Sequence, residues 1–357
     1  VRVFGVFPVR LTRSSVILAV VGVLLIVAAA VVRFVVVPSV AKLPTDLDVT
    51  LEFEGTYNGI NPGVLTGSAT EVLSQDVPIQ ATRQVLAEDV DGDTEIVLRQ
   101  DERTIGERKP QVTEVRFAVD RGTAEAGPAP DGAENVTSAE GLVFTLPVDP
   151  STEEGAYTYW DQSTMQATPL TFEGEDTLGG RDVYRYQSVA EGELADPNAM
   201  GLPTFLPKAQ LAALVPGLEG LVAPELLAAL PAVLPTLPTS IPIEWTSKTT
   251  TLVDADQELG ATIAGGSTQE ITGSLDLGVT EVDVPFATIE VYSTDDSIED
   301  RGDEVGSQSS LLSLVGTILP IVALVLGVLL IVAALLLARR AATRTAQPVE
   351  TSTSASV

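Results

Sequence analysis

The chain has 357 residues, 45% hydrophobic and 19% charged, so it has apolar content for packed domains and is not a disordered chain. It contains no cysteine and no histidine, which removes disulfides, thiolate chemistry, the usual general base and the commonest transition-metal ligand. Its formal net charge is −29, and all but one of the 49 acids lie between residues 39 and 310, a field that opposes nucleic acid and anionic lipid surfaces.

Residues 1–13 carry Arg2, Arg10 and Arg13 without an acid. Residues 14–37 follow as "SSVILAVVGVLLIVAAAVV", then Arg33 and "FVVV". A helix needs about 20 apolar residues to cross a hydrocarbon core of ~30 Å, and this segment qualifies as a first transmembrane helix. A cleaved signal sequence is the rival reading, but the apolar run continues past Ala30 to Val37, longer than a signal core, which favours an uncleaved anchor.

From residue 38 to 202, β-branched and aromatic residues alternate with polar ones in short runs such as "DVTLEFEGTY", "TEIVLRQDERT", "QVTEVRFAVDR" and "VYRYQSV". The pattern predicts a mainly β domain of curved antiparallel sheets, half-barrel or sandwich-like, built from repeated hairpins. "FAVDRGTAEA" and "TYWDQSTMQA" share the spacing Asp-x-x-Thr-x-x-Ala, and "TLVDADQELGA" is a looser copy. In each, an apolar strand is expected to end at an aspartate (Asp120, Asp161, Asp254) whose carboxylate accepts backbone N–H groups of the turn. Trp160 then reads as the last strand residue before a hairpin, with contact to a ligand as the alternative. "TFEGEDTLGGRDVYRYQS" predicts a further hairpin turning at Gly179 and Gly180, with Tyr184 and Tyr186 on one face. "DVDGDTE", residues 89–95, fails the calcium-loop pattern, because glycine falls at its fourth position and Gln100 at its twelfth; an Asp-Gly hairpin turn fits better.

Residues 203–243 break the alternation. Prolines recur every few residues, and "PKAQLAAL" and "APELLAAL" predict short helices with proline in the first turn. They cap an open sheet end, or form an apolar lid over a lipid cavity or a surface that dips into the membrane. Candidate ligand contacts are Phe205, Leu211 and Leu214 here, Trp245 just after it, and Trp160. The β pattern resumes over 244–310. Residues 311–338 are uncharged and predict a second transmembrane helix, kinked at Pro320. Arg339, Arg340 and Arg344 open a polar tail, 339–357, predicted to be disordered. Basic residues outside both spans place both termini in the cytoplasm and residues 39–310 outside the plasma membrane.

Seven basic residues, Arg83, Arg99, Arg103, Arg108, Lys109, Arg116 and Arg121, crowd into one stretch. They pair with acids such as Asp101, Glu102, Glu107 and Glu114 on solvated strands, or they hold a phosphate or carboxylate head group. No catalytic, cofactor-binding or metal-binding residue stands out, and acids are too abundant for any carboxylate pair to be singled out.

"RFVVVPSVAKLPTDLDV", "VPIQATRQV", "VRFAVDRGTAEA", "GLVFTLPVD" and "YTYWDQSTMQATPLTFEGEDTLGGRDVYRYQ", with the second span and its arginines, resemble the actinobacterial PorA family of porin-like proteins of unknown function. The resemblance covers nearly the whole chain and rests on structural turns, so it carries over no catalytic residue. It implies a two-span membrane-anchored envelope protein. A pore is not expected, because two smooth apolar helices supply neither a polar stripe nor a lipid-facing strand pattern. The expected role is non-enzymatic and needs no cofactor: binding or handing on a lipid, lipoglycan or partner protein. Scaffolding for another membrane protein is the alternative, and a glycan hydrolase is the third reading.

Overall fold

The computed structural model describes residues 13–37, 42–65, 69, 71–215, 222–278 and 281–344. The expectations for residues 1–12 and for the tail beyond 344 lie outside the described residues. The chain divides into two compact units, one spanning Lys42–Ser307 and the other formed by the segments on either side of it.

The Lys42–Ser307 unit contains thirteen strands: β1 Asp48–Ile60, β2 Leu73–Asp91, β3 Thr94–Ile105, β4 Gln111–Asp120, β5 Glu125–Ala126, β6 Gly141–Leu142, β7 Tyr157–Asp161, β8 Gln166–Leu178, β9 Arg181–Glu193, β10 Phe205–Pro207, β11 Ser240–Asp256, β12 Thr262–Asp276 and β13 Glu281–Ser293. Neighbours pair in the order β11-β12-β13-β1-β2-β3-β4-β5-β6-β7-β8-β9, and β9 returns to β11 along Val183–Glu193, closing a 12-strand ring. β10 pairs with the opening residues of β11 only. Every ladder between these strands is antiparallel except β6 with β7, which meet at Leu142 and Tyr159; an isolated bridge from Arg116 of β4 to Val136 is parallel too. The curved sheet expected from the hairpins is thus a complete barrel rather than a half-barrel or sandwich.

Period-two alternation explains the wall. On β11, Ile241, Ile243, Trp245, Ser247 and Thr249 are buried, whereas Pro242, Glu244, Thr246 and Lys248 are exposed. On β1, Leu51 and Tyr57 are buried and Glu52 and Glu54 exposed. Successive side chains on a strand point to opposite faces, so one set fills the barrel and the other meets solvent.

The turns follow the aspartates. Asp120 Oδ1 accepts the N–H groups of Gly122 and Thr123 at 2.8 and 2.9 Å. Asp161 Oδ2 accepts the Thr164 N–H at 2.8 Å. The third copy is displaced: Asp256, not Asp254, accepts the N–H groups of Glu258 and Leu259 at 3.0 and 2.8 Å. Asp254 still lies within β11 and pairs with Arg185 at 2.7 Å, because the ladder with β9 extends to Asp256 before the chain turns. The tight turns at Gly92 and at Gly179-Gly180 are as expected, and Phe172, Tyr157, Tyr184 and Tyr186 stack edge to face.

Two short helices of the insert appear where the prolines predict them: α3 Lys208–Leu214 and α4 Pro224–Val233 (the label α1 denotes Arg13–Val31 and α2 Pro62–Leu65). Leu206, Leu211, Leu214, Val222, Leu230 and Leu237 bury against Tyr57, Ile79, Ile105, Trp245, Ile271 and Phe286 of the strands, forming one apolar core at that end. The Trp245 indole packs edge-on against Phe286 at 5.0 Å and lies over Gly273, where a Cβ would meet the ring at 2.8 Å. Two smaller cores lie elsewhere in the barrel, one around Val97, Phe117, Val119 and Trp160, the other around Leu142, Tyr159, Leu170 and Tyr186.

A helix that the alternation did not predict, α5 Asp295–Ser313, follows β13. Its signals are local: Thr294 Oγ1 accepts the Ser297 N–H at 3.2 Å as an N-cap, and Asp295 and Asp296 favour the first turn. Val305 of α5 packs with Val183 and Ile263.

In the other unit, α1 pairs with α6, Leu319–Arg344, in antiparallel fashion. A Cβ on Gly22 would meet the Gly327 carbonyl at 2.6 Å, and one on Gly327 would meet that of Gly22 at 2.7 Å. Ala29, Ala334 and Ala338 are buried too, while Val, Leu and Ile cover the outside. Small residues inward and large apolar residues outward is the arrangement of helices that associate in lipid. Both Arg13–Val36 and Leu319–Arg340 are long and apolar enough to span a membrane. A π-helical turn, Leu314–Ile318, precedes Pro320, whose missing N–H and ring disturb the preceding turn.

Candidate functional site

The interior of the barrel is apolar where the insert plugs it and polar in between. Register places Val97, Arg99, Asp101, Arg103 and Ile105 of β3 on one face, opposite Ala87, Val85, Arg83, Ala81 and Ile79 of β2. Val97, Ile79 and Ile105 are buried in the cores, so this is the inner face. Three guanidinium groups and one carboxylate therefore point inward, set between the apolar pairs Val97–Phe117 and Ile79–Ile105.

Asp101 Oδ1 accepts Arg83 Nε at 2.6 Å. Arg99 Nε lies 3.0 Å from Asp101 Oδ2, but its N–H is not aimed at the oxygen, and this buried nitrogen has no hydrogen-bond partner. Arg103 makes no hydrogen bond or ion pair among the described residues; Asp101 attracts it only at longer range. The Arg83 and Arg99 guanidinium carbons each sit 5.8 Å from a ring centroid, of Phe53 and Phe117 respectively, a cation–π distance.

The electrostatics follow from enclosure. Burial pushes the Arg99 and Arg103 pKa values down, with Asp101 opposing in each case. Burial alone would push Asp101 up, but Arg83 and Arg99 hold it below the usual carboxylate range. Arg83 stands above its ordinary value because Asp101 outweighs burial. One carboxylate faces three cations, so the layer is net positive inside a unit whose surface is strongly acidic.

The layer is enclosed without being filled. Arg83 and Asp101 point into a closed ring, yet their side chains keep 33% and 27% of their surface accessible, while Arg99 keeps 9%. Eight strands already make a barrel just wide enough for side chains to fill, and twelve make a wider one. Accessible surface on inward groups therefore borders internal space or an opening in the wall. Such an opening lies at β4. Along residues 111–115 β4 ladders only with β3 among the described residues; on its other side a single bridge joins Arg116 to Val136 and β5 joins at Val119. Gln111 and Thr113, opposite Arg103 and Asp101, are inward by register and nevertheless exposed.

Hydroxyl and amide groups line other parts of the inner wall. Ser163 Oγ and Thr249 Oγ1 are 3.0 Å apart, Gln269 Nε2 donates to Ser247 Oγ at 3.0 Å, and Thr168 and Ser188 are joined at 2.7 Å. The signal for this wall was present in "WTSKTTT": Ser247, Thr249 and Thr251 continue the inward parity of Ile243 and Trp245.

The five predicted ligand contacts do not converge. Trp245, Leu211 and Leu214 lie in the plug, with Trp245 Nε1 donating to the Pro203 carbonyl at 2.8 Å. Phe205 is exposed. Trp160 belongs to a different core, donates to Gln162 Oε1 at 3.2 Å, and borders a surface depression of ≈ 360 Å³ with Ala139, Met165 and Gln166. The basic run divides as well. Arg83, Arg99 and Arg103 face inward, Arg116 pairs outward with Glu88 at 2.7 Å, and Arg108 lies over the Tyr57 ring at 5.7 Å. Arg121 donates twice to the Leu43 carbonyl and stands 3.4 Å from Glu95. Of the acids expected as partners, only Asp101 forms an ion pair among the described residues; Glu102 and Glu114 lie on the opposite face, where Glu114 attracts Arg116 at longer range. Glu95 was not anticipated: it is fully buried, neither carboxylate oxygen has a hydrogen bond, and burial pushes its pKa up to about 7. Among the described residues, no cluster of metal-ligating side chains occurs.

Residues 14–336 match the family model described as "Porin PorA". The chain belongs to the PorA family. No protein of curated function matches this PorA-family chain. Among solved structures, a "MaoC-like dehydratase" aligns at 10% identity and TM-score 0.12, over 69% of this chain and 75% of its own. A conserved hypothetical protein from Mycobacterium tuberculosis with a double hotdog fold aligns at 11% identity and TM-score 0.13, over 80% and 83%. Likeness at that level carries no argument about fold or function. The barrel of this PorA-family protein is not built to lie in lipid, because a lipid-facing wall needs an apolar outer band and this one presents Glu52, Glu54, Gln80, Glu102, Glu191, Lys248 and Glu270.

Proposed function

We propose that this PorA-family protein is a non-enzymatic binding protein of the actinobacterial envelope. Two helices anchor it in the plasma membrane with both termini in the cytoplasm. The barrel stands outside and takes a lipid or lipoglycan into its interior. The observation that carries this reading is the pairing of a polar outer wall with an inner face that is plugged by hydrocarbon at one end and keeps accessible surface in its middle. The two apolar helices and the family match support membrane anchoring; the basic residues that follow the second span support the orientation.

The test is lipid mass spectrometry on the full chain purified in nanodiscs, beside an unrelated two-span protein prepared identically. One lipid class enriched to near-stoichiometric amount is expected. A lipid profile indistinguishable from the control would overturn the reading. The unpaired edge of β4 favours scaffolding as the second reading, since an exposed strand edge can receive a strand from a partner. Crosslinking from that edge to a single stoichiometric protein, without enriched lipid, would select it.

A further inference from the structure

We infer that the arginine layer of the barrel is an oxyanion site, in which Arg99 and Arg103 hold a carboxylate or phosphate group that enters beside the first half of β4. The inference deepens the binding-protein reading above by naming the chemistry recognised.

Three features on the inner face support it. First, the charge is unbalanced, with Arg83, Arg99 and Arg103 against Asp101. Second, donor capacity is left over where the layer is most enclosed: Arg99 keeps only 9% of its side chain accessible, is ion-paired with Asp101 at 3.0 Å and yet has an Nε–H not aimed at an acceptor, and Arg103 makes no ion pair among the described residues. A buried charged donor left without an acceptor is costly, and an oxyanion placed there would relieve that cost. Third, the layer is held in shape independently of any guest. Arg83 locks Asp101 at 2.6 Å, and the Phe53 and Phe117 rings support the Arg83 and Arg99 guanidinium planes.

The chemistry of the guest follows. Guanidinium groups offer paired N–H donors matched to carboxylate and phosphate oxygens. Ile105 and Ile79 lie two residues from Arg103 and Ala81 on the same face, so hydrocarbon begins directly beside the charge. Those isoleucines are already buried against the plug, so the layer offers a guest its charge, and a hydrocarbon tail on the oxyanion would lie along the exposed first half of β4. Arg83 is a positioning residue, since its donor is committed to Asp101.

The test uses the full chain in phosphatidylcholine nanodiscs, with radiolabelled palmitate, inorganic phosphate and hexadecanol as probes and empty nanodiscs subtracted. Palmitate is expected to bind saturably, hexadecanol at least about tenfold more weakly, and Arg99→Met and Arg103→Met each to weaken palmitate by about tenfold or more, the loss of a charge-assisted hydrogen bond. Arg99→Lys should restore part of that loss. Phosphate binding as tightly as palmitate, with the same arginine dependence, would assign the site to a free anion. Thermal melts of both Met variants should match or exceed wild type, which separates lost binding from lost fold. Absence of binding by every anion, or binding unchanged in both Met variants, would overturn the inference. Wild-type and Arg99→Met proteins that co-purify the same enriched lipid would sink this inference and leave the binding-protein reading intact. Arginine-dependent phosphate binding with no enriched lipid would do the reverse.

Discussion

Arg103 and Ile105 stand two residues apart on one strand and face the same interior, yet they belong to different kinds of structure. Ile105 belongs to the apolar core that holds the leucines of the insert, Trp245 and Tyr57. Arg103 meets a layer of cations sharing one acid, with surface still accessible beside it. The difference shows where stability and recognition are divided in this barrel. The plugged end secures the closed ring through hydrocarbon burial, and the middle layer carries charge that burial makes costly.

The comparison can be broken from either side. The largest effect is expected from Trp245→Ala, which uncovers Phe286 and Gly273 and leaves the Pro203 carbonyl unpaired; truncating a buried aromatic costs about 3–5 kcal/mol. Chemical denaturation of the full chain would read it, and a change under about 1 kcal/mol would mean that the plug is not the core of the ring. Asp101→Ala comes next. It strands three inward cations and should cost on the order of 3 kcal/mol, whereas replacing Arg83, Arg99, Arg103 and Asp101 together by Met, Met, Met and Leu should be neutral or stabilising while abolishing anion binding. A quadruple variant that unfolds would show that the charges hold the barrel together.

Glu95→Gln sharpens the contrast with an acid that the fold tolerates rather than uses. The folded pKa of about 7 lies above the ordinary 4.5, so the native state binds the proton more tightly than the unfolded chain. The stability this group supports is fully present below about pH 4.5 and is lost as pH rises through 7. The variant should therefore be more stable than wild type at pH 8, by roughly 2–3 kcal/mol, with the gap closing toward pH 4.5. A gap that widens in acid would contradict the assignment. The smallest effect is expected at a turn: Asp161→Ala removes the acceptor for Thr164 N and Oγ1 and should cost about 1–2 kcal/mol without changing anion binding. Lost binding in that variant would tie the hairpin to the site.

Much of the wall was legible in the sequence because alternation and turn chemistry are local. The Asp120 and Asp161 turns, the Gly179-Gly180 hairpin and both proline-led helices follow from a few neighbouring residues. Closure of the ring was not legible, since it depends on β9 meeting β11 across the whole insert and on β5 and β6, two residues each, too short to carry a pattern. The third turn slipped from Asp254 to Asp256 for the same reason: pairing with β9 extends the strand. α5 announced itself through Thr294 and two aspartates, a cap signal masked by the expectation of further strand. The arginine layer was half visible. The crowding of basic residues showed in the sequence, but parity, not proximity, decides which of them turn inward, and parity required the register of β2, β3 and β4.

The account's central claim is a polar-walled barrel standing outside the membrane, and the absence of native cysteine makes it directly measurable. Single cysteines at Glu54, Glu270 and Lys248 on the outer wall, and at Thr113 at the β4 opening, would be treated in intact cells with a membrane-impermeant maleimide. All four positions should label to completion without permeabilisation, and Leu329→Cys in α6 should not. Labelling of the wall positions only after the cells are opened, or their protection by lipid, would contradict it.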